Sequence, residues 1–374
     1  MMRVVIVSKT FVAETAQRQL EWIARQPDIE LTLVTPPFWR SDDGRRLPFV
    51  PRFVEGYQVR KAPVVFNGQY HLYFYPELGT IVRQQRPDVL HIDEEPYNPV
   101  GAQAQRLANA LGARTIFVSW QNLYRAYPAP YAWIERYNYR RAAAIIAGNA
   151  DAADVLRRKG YGGPTAVFSA HGVDPNIYRP LPRTSPSGVF VIGYLGRLVL
   201  YKGVGLLIEA LQGMPDHCRL RLVGSGPDER ALRRIASERG VAERVDFVPA
   251  IATVDVPQML ADMDVLAAPS LTQPNWKEQF GRVLIEAMAC GIPVIGSDSG
   301  EIPHVIGAAG MIVPEGDTEA LRAGLLRLAN DAAMRERFSR AGGARVLERF
   351  TQEQVARKTV RVYHEALGIG EARG

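Results

Sequence analysis

Two glutamates eight positions apart, Glu278 and Glu286, bracket Gln279-Phe280-Gly281 and form the most chemically suggestive pair in the chain. If both were helical they would lie ~12 Å apart along the axis and roughly 80° apart around it, so they cannot share one ligand atom. They can hold the two ends of a longer ligand. Gly281 is expected to open the helix, which puts Glu278 just before the N-terminus and Glu286 inside it. The helix-start N–H groups of Gln279 to Arg282 are then expected between them, where an anion such as a diphosphate would be favoured. The plainer alternative is a helix-dipole carboxylate at 278 and a solvated one at 286. Against it, Glu286 sits among Leu284, Ile285, Ala287 and Met288, where an idle carboxylate is costly.

A second constellation is Gly193-Tyr-Leu-Gly-Arg-Leu-Val-Leu-Tyr-Lys-Gly203. Gly196 and its neighbours let backbone amides approach a ligand, a helix expected from Val204 adds its positive end, and Arg197 and Lys202 add two full charges. Phosphate is the matching ligand; solvated surface charges are the alternative. Leu222-Val-Gly-Ser-Gly-Pro-Asp228 is a further Gly-rich turn. Glu229 stands where a dinucleotide fingerprint wants its third glycine, so Gly224 and Gly226 read as a tight turn that lines the same pocket or is merely structural.

The elements that must position these residues are short Val- and Ile-rich runs alternating with helical stretches, the pattern of an α/β chain with parallel sheets. Strands are predicted at Val4–Ser8, Leu31–Thr35, Val89–Ile92, Thr115–Val118, Ala144–Ala147 and Ala166–Phe168. After a Pro- and Ser-rich linker, Pro180–Gly188, they follow at Val189–Tyr194, Arg219–Val223, Val245–Val248, Val265–Ala268 and Pro293–Gly296. Two Rossmann-like doubly wound domains result, 1–178 and 179–350, binding ligand in a cleft at the carboxyl ends of their strands. Thr351–Leu367 reads as a last helix capped by Thr351. The stretch 38–75 breaks the alternation: it holds ten of the 33 aromatic residues and prolines at 48, 51 and 63. It is either a ribbon that meets a sugar or a membrane interface, or a local aromatic core.

At 374 residues the chain exceeds a single core, and 47% hydrophobic with 22% charged describes a globular protein. The two cysteines, Cys218 and Cys290, exclude a disulfide framework or a multi-cysteine metal site. The start MMRVVIVSKTF lacks a basic-then-apolar leader and no run approaches the ~18 apolar residues of a membrane span, so a cytoplasmic location is expected. Of the net +6, residues 1–178 carry +5, from 21 Lys and Arg against 16 Asp and Glu. That surplus is too diffuse for nucleic acid but compatible with an anionic substrate or lipid surface.

With these motifs the chain resembles the retaining nucleotide-sugar glycosyltransferases of family 4, of GT-B architecture. The resemblance rests on Gly196-Arg197-Leu198 through Lys202-Gly203, Gly224-Ser-Gly226, Glu278 to Glu286 around Phe280-Gly281, Glu286-Ala-Met-Ala-Cys-Gly-Ile-Pro293, Gly172-Val-Asp174 and Tyr178-Arg-Pro180. It covers nearly the whole C-terminal half. It implies donor phosphates on Arg197 and Lys202, donor-sugar hydroxyls on Glu278, ribose on Glu286, and a last helix that crosses back to the first domain. Arg197, Lys202 and Glu278 are then the catalytic candidates. Gly196, Gly224, Gly226, Gln279, Phe280, Gly281 and Glu286 are the donor-binding ones.

The first half matches the family less closely. Ser8-Lys-Thr-Phe-Val-Ala-Glu14 has no glycine where relatives often have two, and Asp88-Val-Leu-His-Ile-Asp-Glu-Glu-Pro96 resembles their His-x-His-Glu-Pro region with Asp93 for the second His. Ser119-Trp-Gln-Asn122 stands where many have Phe-His; Gln121 can bond a hydroxyl but cannot act as a base. His91, Glu95, Gln121 and His171 are the candidate acceptor or sugar contacts. Neither His91-Ile-Asp-Glu-Glu95 nor Asp262-Met-Asp264 has the geometry of a metal site, so no metal or cofactor is expected.

The expected function is transfer of a hexose from GDP-mannose or a UDP-hexose, with retention, to a hydroxyl of a sugar, lipid-linked or small-molecule acceptor in glycan or glycolipid synthesis. No nucleic-acid partner is expected, and the first half is the candidate for peripheral membrane contact. The alternatives are a nucleotide-sugar epimerase of the same architecture and a non-catalytic nucleotide-sugar-binding protein.

Overall fold

Near-continuous apolar runs such as Val4-Val5-Ile6-Val7, each at most 1% exposed, bury both faces of their strands, which requires helices on either side of a parallel sheet. The computed structural model describes residues 1–41, 44–184 and 188–369. Ser185, Pro186 and Ser187 of the expected linker lie outside the described residues. Two compact units emerge, Met1–His171 together with the chain from Gln352, and Gly172–Thr351. The change of unit falls at Gly172, ahead of the composition-based boundary after residue 178. Val173 bridges to Thr351, and Tyr178 is buried in the second unit.

The first unit holds a seven-stranded parallel sheet in the order Gln58–Lys61, Ile29–Thr35, Met2–Val7, Val89–Ile92, Arg114–Ser119, Ala144–Ala147, Thr165–Val167. Winding reverses between Met2–Val7 and Val89–Ile92, which makes these two strands neighbours although they are distant in sequence. The last helix, Gln352–Leu367, belongs to this unit: it buries Val355, Val360, Val362 and Tyr363 in its core, and Gln352 Nε2 donates to Thr15 O at 2.9 Å.

The aromatic stretch folds inward. Phe38–Arg40 pairs antiparallel with Arg46–Pro48, and Trp39, Phe49, Tyr73 and Tyr75 are buried, with Trp39 meeting Tyr73 edge-on at 5.0 Å between centroids. A local aromatic core is therefore what these four rings build; Phe66, Tyr70 and the neighbouring Leu72 remain exposed.

The second unit holds a six-stranded parallel sheet in the order Val245–Val248, Cys218–Val223, Phe190–Leu195, Val265–Ala268, Val294–Ser297, Met311–Val313. Its reversal lies between Phe190–Leu195 and Val265–Ala268. The chain thus has the two Rossmann-like domains that the alternation implied. Among the described residues no helix is long and apolar enough to cross a membrane.

Candidate active site

In the second unit the loops that follow Phe190–Leu195 and Val265–Ala268 are neighbours because winding reverses there. Gly203 lets them close: a Cβ on it would lie 1.8 Å from Pro269 O. Lys202, in the short 3-10 turn Leu200–Lys202 ahead of the helix Val204–Gln212, reaches Glu278 Oε2 at 2.6 Å. Ser270 Oγ donates to the same oxygen at 3.0 Å, and the Trp276 ring lies 4.7 Å from the ammonium. Glu278's own carbonyl accepts from Glu301 N at 3.2 Å. Two residues predicted as separate ligand contacts are thus one ion pair, its side chains 25% and 12% exposed. A diphosphate can divide such a pair by taking the ammonium and leaving the carboxylate for a hydroxyl.

Arg197 is exposed on the same loop, and its carbonyl accepts from Tyr194 Oη at 2.7 Å. Gly224 has φ 143° and a Cβ there would sit 1.9 Å from Gly196 O, so the two Gly-rich turns are in backbone contact. Gly226 lies against the backbone of Leu198. Gly196, Gly224 and Gly226 therefore come together beside Arg197.

Gly281, at φ 78°, opens the helix Arg282–Ala289, which puts Glu278 outside the helix and Glu286 within it. Gln279 is exposed, whereas Phe280 is buried edge-on against Phe350 at 5.8 Å. Glu286 is only 5% exposed and accepts from Arg282 Nε at 2.7 Å. Burial pushes its carboxyl above the ordinary range, opposed by the Arg282 charge. Burial also raises the Tyr178 hydroxyl, and the Glu286 charge adds to this.

In the first unit, Glu95, Gln121 and His171 gather around one loop. Glu95 accepts from Ser119 Oγ at 2.8 Å and from Trp120 N at 2.6 Å, and burial raises its carboxyl to about 7. Trp120 stacks on His171 with centroids 4.6 Å apart, and Gln121 Oε1 accepts from Lys159 Nζ at 3.0 Å. His91 is not part of this group. It is buried in its strand with Nδ1 2.7 Å from Tyr363 Oη, and burial lowers its pKa to about 4. Its neighbour is the last helix, and its Nε2 is buried without a hydrogen-bond partner.

Sequence reasoning passed over a cluster at the first unit's reversal point. Glu94 takes Lys9, Tyr73 Oη and Asn98 Nδ2, the last at 3.1 Å, while Ser8 Oγ donates to Asp93 at 2.7 Å. Lys9 Nζ lies 5.5, 5.1 and 5.2 Å from the ring centres of Trp39, Tyr70 and Tyr73. The available signal was ionisable residues directly after two strands; what joins them is strand order. Asp262 and Asp264 act as anchors, Asp262 accepting from Thr184 N at 2.6 Å and Asp264 from Arg183 Nη1 at 2.6 Å.

Comparison with known proteins matches residues 12–170 to the glycosyl transferase 4-like domain and residues 182–345 to the glycosyl transferases group 1. The phosphatidyl-myo-inositol mannosyltransferase of Mycobacterium leprae is 30% identical over 338 residues, 83% of either chain. A GDP-mannose-dependent alpha-(1-6)-phosphatidylinositol monomannoside mannosyltransferase of Mycolicibacterium smegmatis is 36% identical over 177 residues, 42% of this chain and 46% of its own. Among solved structures, a sucrose-phosphate synthase of Thermosynechococcus elongatus superposes with TM-score 0.74 at 19% identity, covering 99% of this chain and 100% of the other. HepE of Anabaena, in complex with UDP and glucose, superposes with TM-score 0.70 at 21% identity, covering 98% and 100%.

Proposed function

Because this chain belongs to the family 4 glycosyltransferases of GT-B architecture, we propose that it moves a hexose from a nucleotide diphosphate-sugar to an acceptor hydroxyl with retention of anomeric configuration. The single observation that carries the reading is the Lys202–Glu278 contact beside the Gly-rich turns, at the reversal point of the second unit's sheet. Lys202, Arg197 and the helix N-terminus that begins after Gly281 offer positive potential for the departing diphosphate, a preorganised electrostatic stabilisation. Glu278 takes a hydroxyl of the transferred sugar and Glu286 the ribose.

GDP-mannose is the favoured donor and a lipid-linked headgroup the favoured acceptor, since relatives named for GDP-mannose and phosphatidylinositol are 36% identical over 42% of this chain. The first unit binds the acceptor. Its exposed Phe66 and Leu72, near the cationic ribbon residues Arg40 and Arg46, suit peripheral contact with an anionic membrane on the cytoplasmic side. The test is incubation with a panel of nucleotide sugars, with and without phosphatidylinositol vesicles. Nucleoside diphosphate release and the anomeric configuration of the product are read by NMR. An altered sugar still on its nucleotide, or binding without turnover, would sink the reading.

A further inference from the structure

Beside the first unit's carboxyl edge runs a chain of contacts that the proposed donor site does not use. Gln121 follows the strand Arg114–Ser119, and its Oε1 accepts from Lys159 Nζ at 3.0 Å. Lys159 also donates to Glu135 Oε1 at 2.7 Å, and its head lies 4.4 Å from the centre of the Tyr127 ring. The Lys159 and Glu135 side chains are 4% and 10% exposed, so this ion pair is held by protein rather than by water. Gln121 Nε2, in contrast, is buried without a hydrogen-bond partner.

Donor and acceptor inventory decides which way the amide points. An ammonium only donates, so Lys159 accepts Oε1 as its neighbour and repels the NH2 group. Both amide N–H bonds are therefore turned away from Lys159. The backbone is held as well: Ser119 Oγ and Trp120 N bond to Glu95 at 2.8 and 2.6 Å, and a Cβ on Gly148 would lie 2.3 Å from the Trp120 ring. Unmet donors on a side chain fixed in this way are preorganised for a ligand oxygen.

Building on the transferase function above, we propose that Lys159, anchored by Glu135, is a positioning residue that sets Gln121 as an obligate hydrogen-bond donor to an oxygen of the acceptor bound by the first unit. A histidine can serve there as donor or acceptor according to its protonation; the locked amide only donates.

Gln121→Glu tests the polarity directly. The change is nearly isosteric and its carboxylate suits Lys159, so the melting temperature should hold, while two donors become an acceptor. Transfer should lose roughly 10- to 100-fold in kcat/KM, the scale of one hydrogen bond to ligand. Calorimetric affinity for nucleoside diphosphate, a property of the second unit, should stay within about twofold. A loss confined to the KM of the acceptor assigns the oxygen to the acceptor. Slower donor hydrolysis without acceptor, in place of a raised KM for the acceptor, overturns that assignment. Lys159→Gln combined with Glu135→Gln lets the amide turn without stranding a buried charge, and should reproduce the kinetic loss, whereas Lys159→Arg keeps a donor-only head and should keep most of the activity. Wild-type kcat/KM in Gln121→Glu overturns the donor role, and wild-type kcat/KM in the Lys159/Glu135 double variant overturns the positioning role. A wild-type protein that turns over no nucleotide sugar overturns the transferase function itself, and this inference with it.

Discussion

Glu278→Gln separates the two ends of the proposed donor site. Glu278 Oε2 holds Lys202 at 2.6 Å and Ser270 at 3.0 Å, with the carboxylate side chain 12% exposed. Glutamine keeps an acceptor oxygen for both but loses the charge. A charge-assisted hydrogen bond reduced to a neutral one should cost about 1–2 kcal/mol of stability, which chemical denaturation reads. Nucleoside diphosphate should not suffer, because the ammonium it needs is now held less tightly; calorimetry should show affinity unchanged or up to about fivefold tighter. Chemistry should suffer, because positive charge grows on the sugar in the transition state and the facing carboxylate is gone. A fall in kcat on the order of 10²-fold corresponds to about 2.7 kcal/mol. Glu286→Gln is the control at the other end. Its buried bond to Arg282 at 2.7 Å is lost or weakened, and both donor and nucleoside diphosphate should bind roughly 10- to 100-fold less tightly. If Glu278→Gln weakens nucleoside diphosphate binding as much as Glu286→Gln does, the two-ended assignment is wrong.

Glu95 gives a pH dependence of stability. Its carboxyl rises from 4.5 to about 7 on folding, so the folded state holds the proton more tightly than the unfolded one. Stability from this group is fully present below pH 4.5 and is lost as pH rises toward 7, by up to roughly 3 kcal/mol. Urea titrations at several pH values should show that slope in the wild type and a flatter profile in Glu95→Gln. With Lys202 and Arg197 as the cations proposed to face the diphosphate, transfer should persist in excess chelator; complete loss restored by magnesium or manganese would refute this. Tyr73→Ala, at a fully buried ring against Trp39, should cost roughly 3–5 kcal/mol in urea. Phe66→Ser, at a side chain 55% exposed, should change stability by less than about 0.5 kcal/mol while weakening flotation with anionic liposomes; unchanged flotation would count against the membrane contact.

The donor-side architecture was legible locally because its signals are local. Short Val- and Ile-rich apolar runs and period-3.6 patterning marked the strands and helices, and Gly281 ahead of Arg282–Ala289 is a helix start that eight residues of sequence disclose. The strands that escaped notice, Gln58–Lys61, Met311–Val313 and the Phe38–Arg40 ribbon, are short or polar, and pairing with distant neighbours is what makes them strands.

What the sequence alone determined is therefore the set of elements, the two Rossmann-like halves, and the residue types that end up at the strand ends. Only the tertiary structure decided which of them touch. Lys202 and Glu278 are 76 positions apart, and Lys9 and Glu94 are 85 apart; each pair meets because its sheet reverses winding between the strands that precede them. The same holds for direction. Alternation along Val89–Ile92 puts His91 on one face, but the helix Gln352–Leu367, more than 250 residues later, is what covers that face and takes the imidazole onto Tyr363. Strand order and helix docking are settled by the burial of whole apolar faces, a sum over many distant residues that no local spacing encodes.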